Sequence, residues 1–225
     1  MTHIERNLAR ITSVISDARD KSKGKPTLVG VTKSLSVETI SELMRAGLTC
    51  FGENRVQEFL PKYEALTDAQ PTWHFIGHLQ RNKVKFIIDK VVMIHSVDNL
   101  PLAQEINKRA AQTGRIMDIL IEVNIASEDT KHGVAPEEAI SLARALAPLS
   151  NIQVKGLMCI APFVENAEDN RIHFKNMRNL LVDINAQHPH NLTELSMGMS
   201  GDYHIAISEG STMVRIGTAL VSKEN

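Results

Sequence analysis

The chain has 225 residues, 43% hydrophobic and 23% charged, the usual balance for a globular protein with one sizeable core. A formal net charge of −1 gives no basic excess, which argues against nucleic acid or an anionic membrane as partner. The two cysteines, Cys50 and Cys159, stand alone in apolar stretches; they make neither a disulfide framework nor a zinc set and read as small buried hydrophobes.

The opening "MTHIERNLARITSVI" is an amphipathic helix with both signs of charge and without the apolar core of a signal peptide. No stretch reaches the apolar length of a membrane span, so a cytoplasmic location is expected. Short β-rich runs then alternate with helical patterns. The strands begin at Thr27 ("TLVGVT"), Thr49 ("TCFG"), Thr72 ("TWHFIG"), Val91 ("VVMIHSV"), Ile116 ("IMDILIEVN"), Ile152 ("IQVKGLMCI"), Leu192 ("LTELSMG") and Thr212 ("TMVRIG"). The helix after the first strand opens at Ser36, a good N-cap, and closes at Gly47. Another closes at Gly114, and "PEEAISLARAL" starts with Pro136 and two acids suited to a helix N-terminus. Strands alternating with helices imply a parallel sheet, and eight units imply an α/β protein of the closed (β/α)8 TIM-type barrel, with an additional N-terminal helix. An open doubly wound sheet is the alternative. With no linker or repeat in the sequence, residues 1–225 form a single barrel domain.

A barrel carries its active site where strands end and loops begin. That rule selects Lys33, Asn54, His74 to His78, His95, Asn124, the "MCIAP" turn, "SMGMSGD" and "RIGTA". The last two follow strands seven and eight, where many barrels bind phosphate. Ser200 and Asp202 lie in the first loop, Gly217 and Thr218 in the second; glycine lets backbone N–H groups approach an anion. Lys33 follows the first strand on the same face. An amine in a partly desolvated pocket can attack an aldehyde. Aldehyde plus phosphate describes pyridoxal 5′-phosphate. The plainer reading of Lys33 is a lysine snorkelling at a strand end.

The motifs "GVTKS", "FGENRVQE", "WHFIGHLQRNK", "EVNIASEDTKHGV", "GLMCIAP" and "LSMGMSGDYHIAISEGSTMVRIGTALV" resemble those of the pyridoxal phosphate homeostasis proteins. That family is the single-domain relative of the alanine racemase barrel, and the likeness runs nearly the whole length. The resemblance implies a Schiff-base lysine at Lys33, phosphate contacts at Ser200, Gly217 and Thr218, and Arg215 as partner of the pyridine nitrogen. It places Asn54 and His74 in the pocket and brings Lys131 toward the ring hydroxyl. It also implies a role in vitamin B6 and amino-acid balance. The family's aromatic and glycine near the last strand's end are replaced by Leu220-Val221-Ser222.

Racemisation needs an acid/base on each face of the substrate, and the two tyrosines, Tyr63 and Tyr203, are not obviously placed to serve. A cofactor binder without clear turnover is therefore expected. A racemase is the alternative, a class I aldolase a more distant one, and an interaction scaffold using the basic cluster "LQRNKVK" a third. A monomer is expected, with transient transfer of cofactor to apo-enzymes. No metal site is expected: His74 and His78 straddle a strand end, and no acid accompanies them at ligand spacing.

Overall fold

The computed structural model describes residues 1–18, 25–128, 131–187 and 191–223. Eight parallel strands close into a barrel in sequence order. They are β1 (Thr27–Val31), β2 (Cys50–Glu53), β3 (Thr72–Phe75), β4 (Met93–Val97), β5 (Met117–Glu122), β6 (Ile152–Met158), β7 (Glu194–Ser196) and β8 (Met213–Ile216). Closure is made by β8 on β1, from Thr27 opposite Met213 to Gly30 opposite Ile216. All eight expected strands form, and the open sheet is excluded.

The helices are α1 (His3–Ala18), α2 (Val37–Arg45), α3 (Val56–Ala65), α4 (Leu100–Gln112), α5 (Pro136–Leu146), α6 (Arg171–Gln187), α7 (Tyr203–Ser208) and the short α8 (Thr218–Val221). The Ser36 hydroxyl accepts the Thr39 N–H as the N-cap of α2, and Gly47 ends that turn at φ +102°. Ile4, Leu8, Ile11 and Ile15 of α1 are buried at helical spacing, so this helix is part of the fold rather than an appendage. It packs on α2, α7 and α8. "RNKVKF" after β3 is a 3-10 segment, Arg81–Phe86, with only Val84 buried. None of the helices is long and apolar enough to cross a membrane, among the described residues.

Inside the barrel the strand period of two sorts side chains into layers. Met93, Leu120, Met158 and Met213 form an apolar cluster of their own, apart from the main core. Two residues further along β4, β5 and β8 stand His95, Glu122 and Arg215, all buried. The lumen therefore changes from apolar to polar and ionisable toward the strand C-termini.

Candidate functional site

At that end opens a cavity of about 500 Å³, lined among others by Lys33, Asn54, Lys131, Ser200, Arg215, Gly217 and Thr218. Hollows of similar or larger volume lie elsewhere. One is at the opposite end of the barrel beside Thr27, Thr49 and Cys50, and one of about 860 Å³ lies beside Arg81 and Gln104. Neither brings together a strand-end lysine and the two phosphate-type loops.

Lys33 sits one residue beyond the strand-like run, in a turn closed by the Leu35 N–H on the Thr32 carbonyl at 2.9 Å. Ser34 takes φ +63°, a conformation that disfavours large or branched side chains, so a small residue follows the lysine for a steric reason. Lys33 is exposed at the cavity's edge rather than desolvated, unlike the sequence-based expectation. Asn54 follows β2, and its Oδ1 is buried with no hydrogen-bond partner among the described residues. Gly77 fixes this position: a Cβ there would come within 2.2 Å of the Asn54 carbonyl oxygen. The two last loops meet where the Ala219 N–H donates to Ser200 Oγ at 3.3 Å.

Arg215 is 4% exposed. Its Nη1 donates to Ser196 O (2.8 Å) and Ser196 Oγ (2.7 Å), and its Nη2 to Cys159 O (2.8 Å). These bonds use three of the five guanidinium N–H groups and leave two without a protein acceptor among the described residues, on a residue that lines the cavity. No ion pair joins it to Glu122 or Glu194 among the described residues, so it is held by carbonyls rather than by a structural salt bridge. From Ser196 the chain of bonds continues to His95 Nδ1 (2.9 Å) and from His95 Nε2 to His74 Nδ1 (2.7 Å). Strands β4 and β7 are not neighbours, so the His95–Ser196 bond crosses the lumen. Burial holds His74 down at about 4 and His95 well below the usual imidazole range, so both rings are neutral near pH 7. The assignment that uses every hydrogen has Ser196 donating to His95 and His95 donating to His74.

Beneath Lys33 and Asn54 lies a buried clamp. Lys62 Nζ donates to Glu53 Oε2 (2.6 Å) and to the Thr32 carbonyl (2.8 Å). The other Glu53 oxygen accepts the Asn54 N–H at 2.6 Å, and Thr32 Oγ1 donates to Oε2 at 2.8 Å. One lysine thus ties together the residues that immediately precede Lys33 and Asn54.

Glu122 ends β5 with its Oε2 buried and without a hydrogen-bond partner among the described residues. Burial, and secondarily the charge of Asp98, push its carboxyl up to about 7, against the pull of Arg215. A carboxyl raised in this way opposes folding only where the unfolded chain has already released the proton. The penalty is absent below about 4.5, grows between 4.5 and 7, and is full above 7. It amounts to about 3 kcal/mol. Glu122→Gln is expected to be stabilising relative to the parent at pH 8 and nearly neutral at pH 4.5, by urea denaturation in one cofactor state. A pH-independent difference would contradict the assignment. His74 works the other way: the stability of its neutral form is present above 6.5 and lost as pH falls toward 4.

Residues 6–224 match the model of the alanine racemase N-terminal domain family. The chain is 50% identical over 193 residues to a pyridoxal phosphate homeostasis protein of Aquifex aeolicus, covering 86% of this chain and 85% of that one. It is 39% identical over 224 residues to the Pseudomonas aeruginosa protein of the same name, covering 98% and 95%. The chain belongs to the pyridoxal phosphate homeostasis protein family. Among solved structures it is similar to PipY of Synechococcus elongatus PCC7942, determined with PLP bound. There the TM-score is 0.87 and the identity 34%, over 97% of this chain and all of that one.

For this family member the cavity brings together Lys33, Asn54, Lys131, Ser200, Arg215, Gly217 and Thr218. His74 is the exception. It lies one layer down, buried against His95, and does not line the cavity, because its strand position faces the closed lumen. Both cysteines are free, and burial pushes each thiol up to about 12, which removes them as nucleophiles. Sequence reasoning missed the Lys62 clamp. Its signal was a lysine on the inward stripe of α3, at helical spacing with buried Val56 and Phe59. It also missed that His78 stacks on His132, the ring centroids 4.1 Å apart.

Proposed function

We propose that this chain binds pyridoxal 5′-phosphate at the barrel mouth, with the cofactor's aldehyde held covalently on Lys33 Nζ, in intracellular vitamin B6 and amino-acid balance. The reading is carried by one observation: the strand-end lysine and the two loops suited to phosphate share a single cavity. The cofactor supplies an aldehyde that condenses with a primary amine. Ser200, Gly217 and Thr218 would hold the phosphate, and the unpartnered Asn54 Oδ1 supplies an acceptor. Arg215, with two N–H groups left over from its bonds to Ser196 and Cys159, would be the partner of the pyridine nitrogen. Since arginine only donates, that nitrogen must stay unprotonated, which weakens the ring as an electron sink. The two tyrosines lie outside the cavity, Tyr63 within α3 and Tyr203 buried at the start of α7. The protein therefore keeps the cofactor rather than using it, as a monomer that passes it to apo-enzymes.

The purified protein is expected to show a visible absorption band that hydroxylamine removes, and to gain one equivalent of cofactor when reconstituted. A chain that stays colourless with excess cofactor would contradict the reading. Racemase chemistry would instead appear as rapid α-proton exchange of L-alanine in deuterated water, at roughly 1 per second or faster.

A further inference from the structure

Three loops at the barrel rim bring together a second cluster, outside the cavity already described. His78 follows β3, Asp98 directly follows β4, and His132 lies in the loop after β5. Each offers a ligand atom, and these atoms lie within 4.8 Å of one another. The two imidazoles are stacked at 4.1 Å with only 16° between their planes. No hydrogen bond or ion pair joins Asp98 to either ring among the described residues; its Oδ1 instead accepts from Asn99 Nδ2 at 2.6 Å. The donor atoms of the three side chains converge on one another without a hydrogen bond or ion pair between Asp98 and either ring, among the described residues.

We infer that His78, Asp98 and His132 bind a divalent transition-metal ion. Two imidazoles with one carboxylate suit zinc, iron, cobalt or nickel, whereas magnesium and calcium favour all-oxygen sets. Bond lengths of about 2.0–2.2 Å put two ligand atoms of one ion at most about 4.4 Å apart, a spacing that the 4.8 Å limit admits with at most a small rotamer adjustment. Both histidines are exposed and Asp98 is half-buried, so their rotamers are free to make that adjustment. Three protein ligands leave at least one position for water. The site adjoins the cavity through Lys131, which lines it and immediately precedes His132.

Sequence spacing hides this set, because its members are 20 and 34 residues apart and meet only when β3, β4 and β5 lie side by side. The ion's site does not include Lys33, so it stands or falls independently of the cofactor.

The test is calorimetric titration of untagged, chelator-treated full-length protein with zinc chloride. One ion per chain is expected. Asp98→Asn and His132→Ala should each weaken binding by at least about tenfold, since losing a ligand costs more than losing a group that only hydrogen-bonds to a ligand. His204→Ala, at an exposed histidine in α7, should leave it unchanged. Circular dichroism melts without metal confirm that each variant is folded, and zinc should raise the melting temperature of the parent but not of Asp98→Asn. Absence of saturable binding, or binding indifferent to both ligand variants, would overturn the inference.

Discussion

Lys62→Met is expected to destabilise the protein by about 3–5 kcal/mol, the cost of leaving a buried carboxylate without its counter-charge. Glu53 is fully buried and its Oε2 lies 2.6 Å from Lys62 Nζ, so there is little solvent to screen the loss. Backbone donors at Asn54 and Arg55 and the Thr32 hydroxyl remain to the carboxylate and place the effect at the lower end of that range. The same substitution also removes the tether on the Thr32 carbonyl, one residue before Lys33. Adding Glu53→Gln should return part of the stability, because the uncompensated charge is then gone; the double variant should cost less than the sum of the singles. Urea denaturation of the four proteins measures this. A loss under about 1 kcal/mol, the range of exposed pairs, would mean that the clamp is not what holds the ends of β1 and β2 together.

Arg215→Met is expected to cost about 3–5 kcal/mol, since hydrogen bonds from charged donors are worth about 1.5–3 kcal/mol each and relief of guanidinium desolvation offsets part of the loss. Two carbonyls and the Ser196 hydroxyl lose their donors. Arg215→Lys, able to satisfy some of the three acceptors with a compact ammonium, should fold and bind cofactor with a shifted visible band. Arg215→Glu should fail to fold, because it would aim a buried carboxylate at Ser196 O and Cys159 O. Thermal melts separate these outcomes. A folded Arg215→Lys with an unchanged spectrum would show that the arginine is structural only.

The fold was legible because strand and helix signals recur in register along the chain. Ser36 and Gly47 delimit α2 as their capping chemistry demands, and each strand candidate overlaps a real strand. The cavity residues were legible because a barrel turns chain order into position: whatever follows a strand stands at the mouth. What the sequence concealed is everything decided across the lumen. The His74–His95–Ser196–Arg215 chain joins β3, β4, β7 and β8, and no local pattern announces which inward residues of distant strands will touch. His74 was assigned to the pocket by its motif, yet a strand's last inward residues divide between mouth and interior by register, which the sequence does not print. Lys62 was hidden for a different reason: lysine on an apolar stripe is an exception to burial statistics, explained only once Glu53 is seen opposite it.

The most direct measurement of the central claim is borohydride reduction of the cofactor-loaded protein, followed by digestion and mass analysis of the peptides. Reduction converts a labile carbon–nitrogen double bond to a stable amine and so marks the lysine that carries the cofactor. The pyridoxyl mass is expected on the peptide containing Lys33, and in Lys33→Ala it should disappear while the loops at Ser200 and Thr218 still retain some cofactor noncovalently. An adduct confined to Lys131 or any other lysine, with the Lys33 peptide unmodified, would contradict the account.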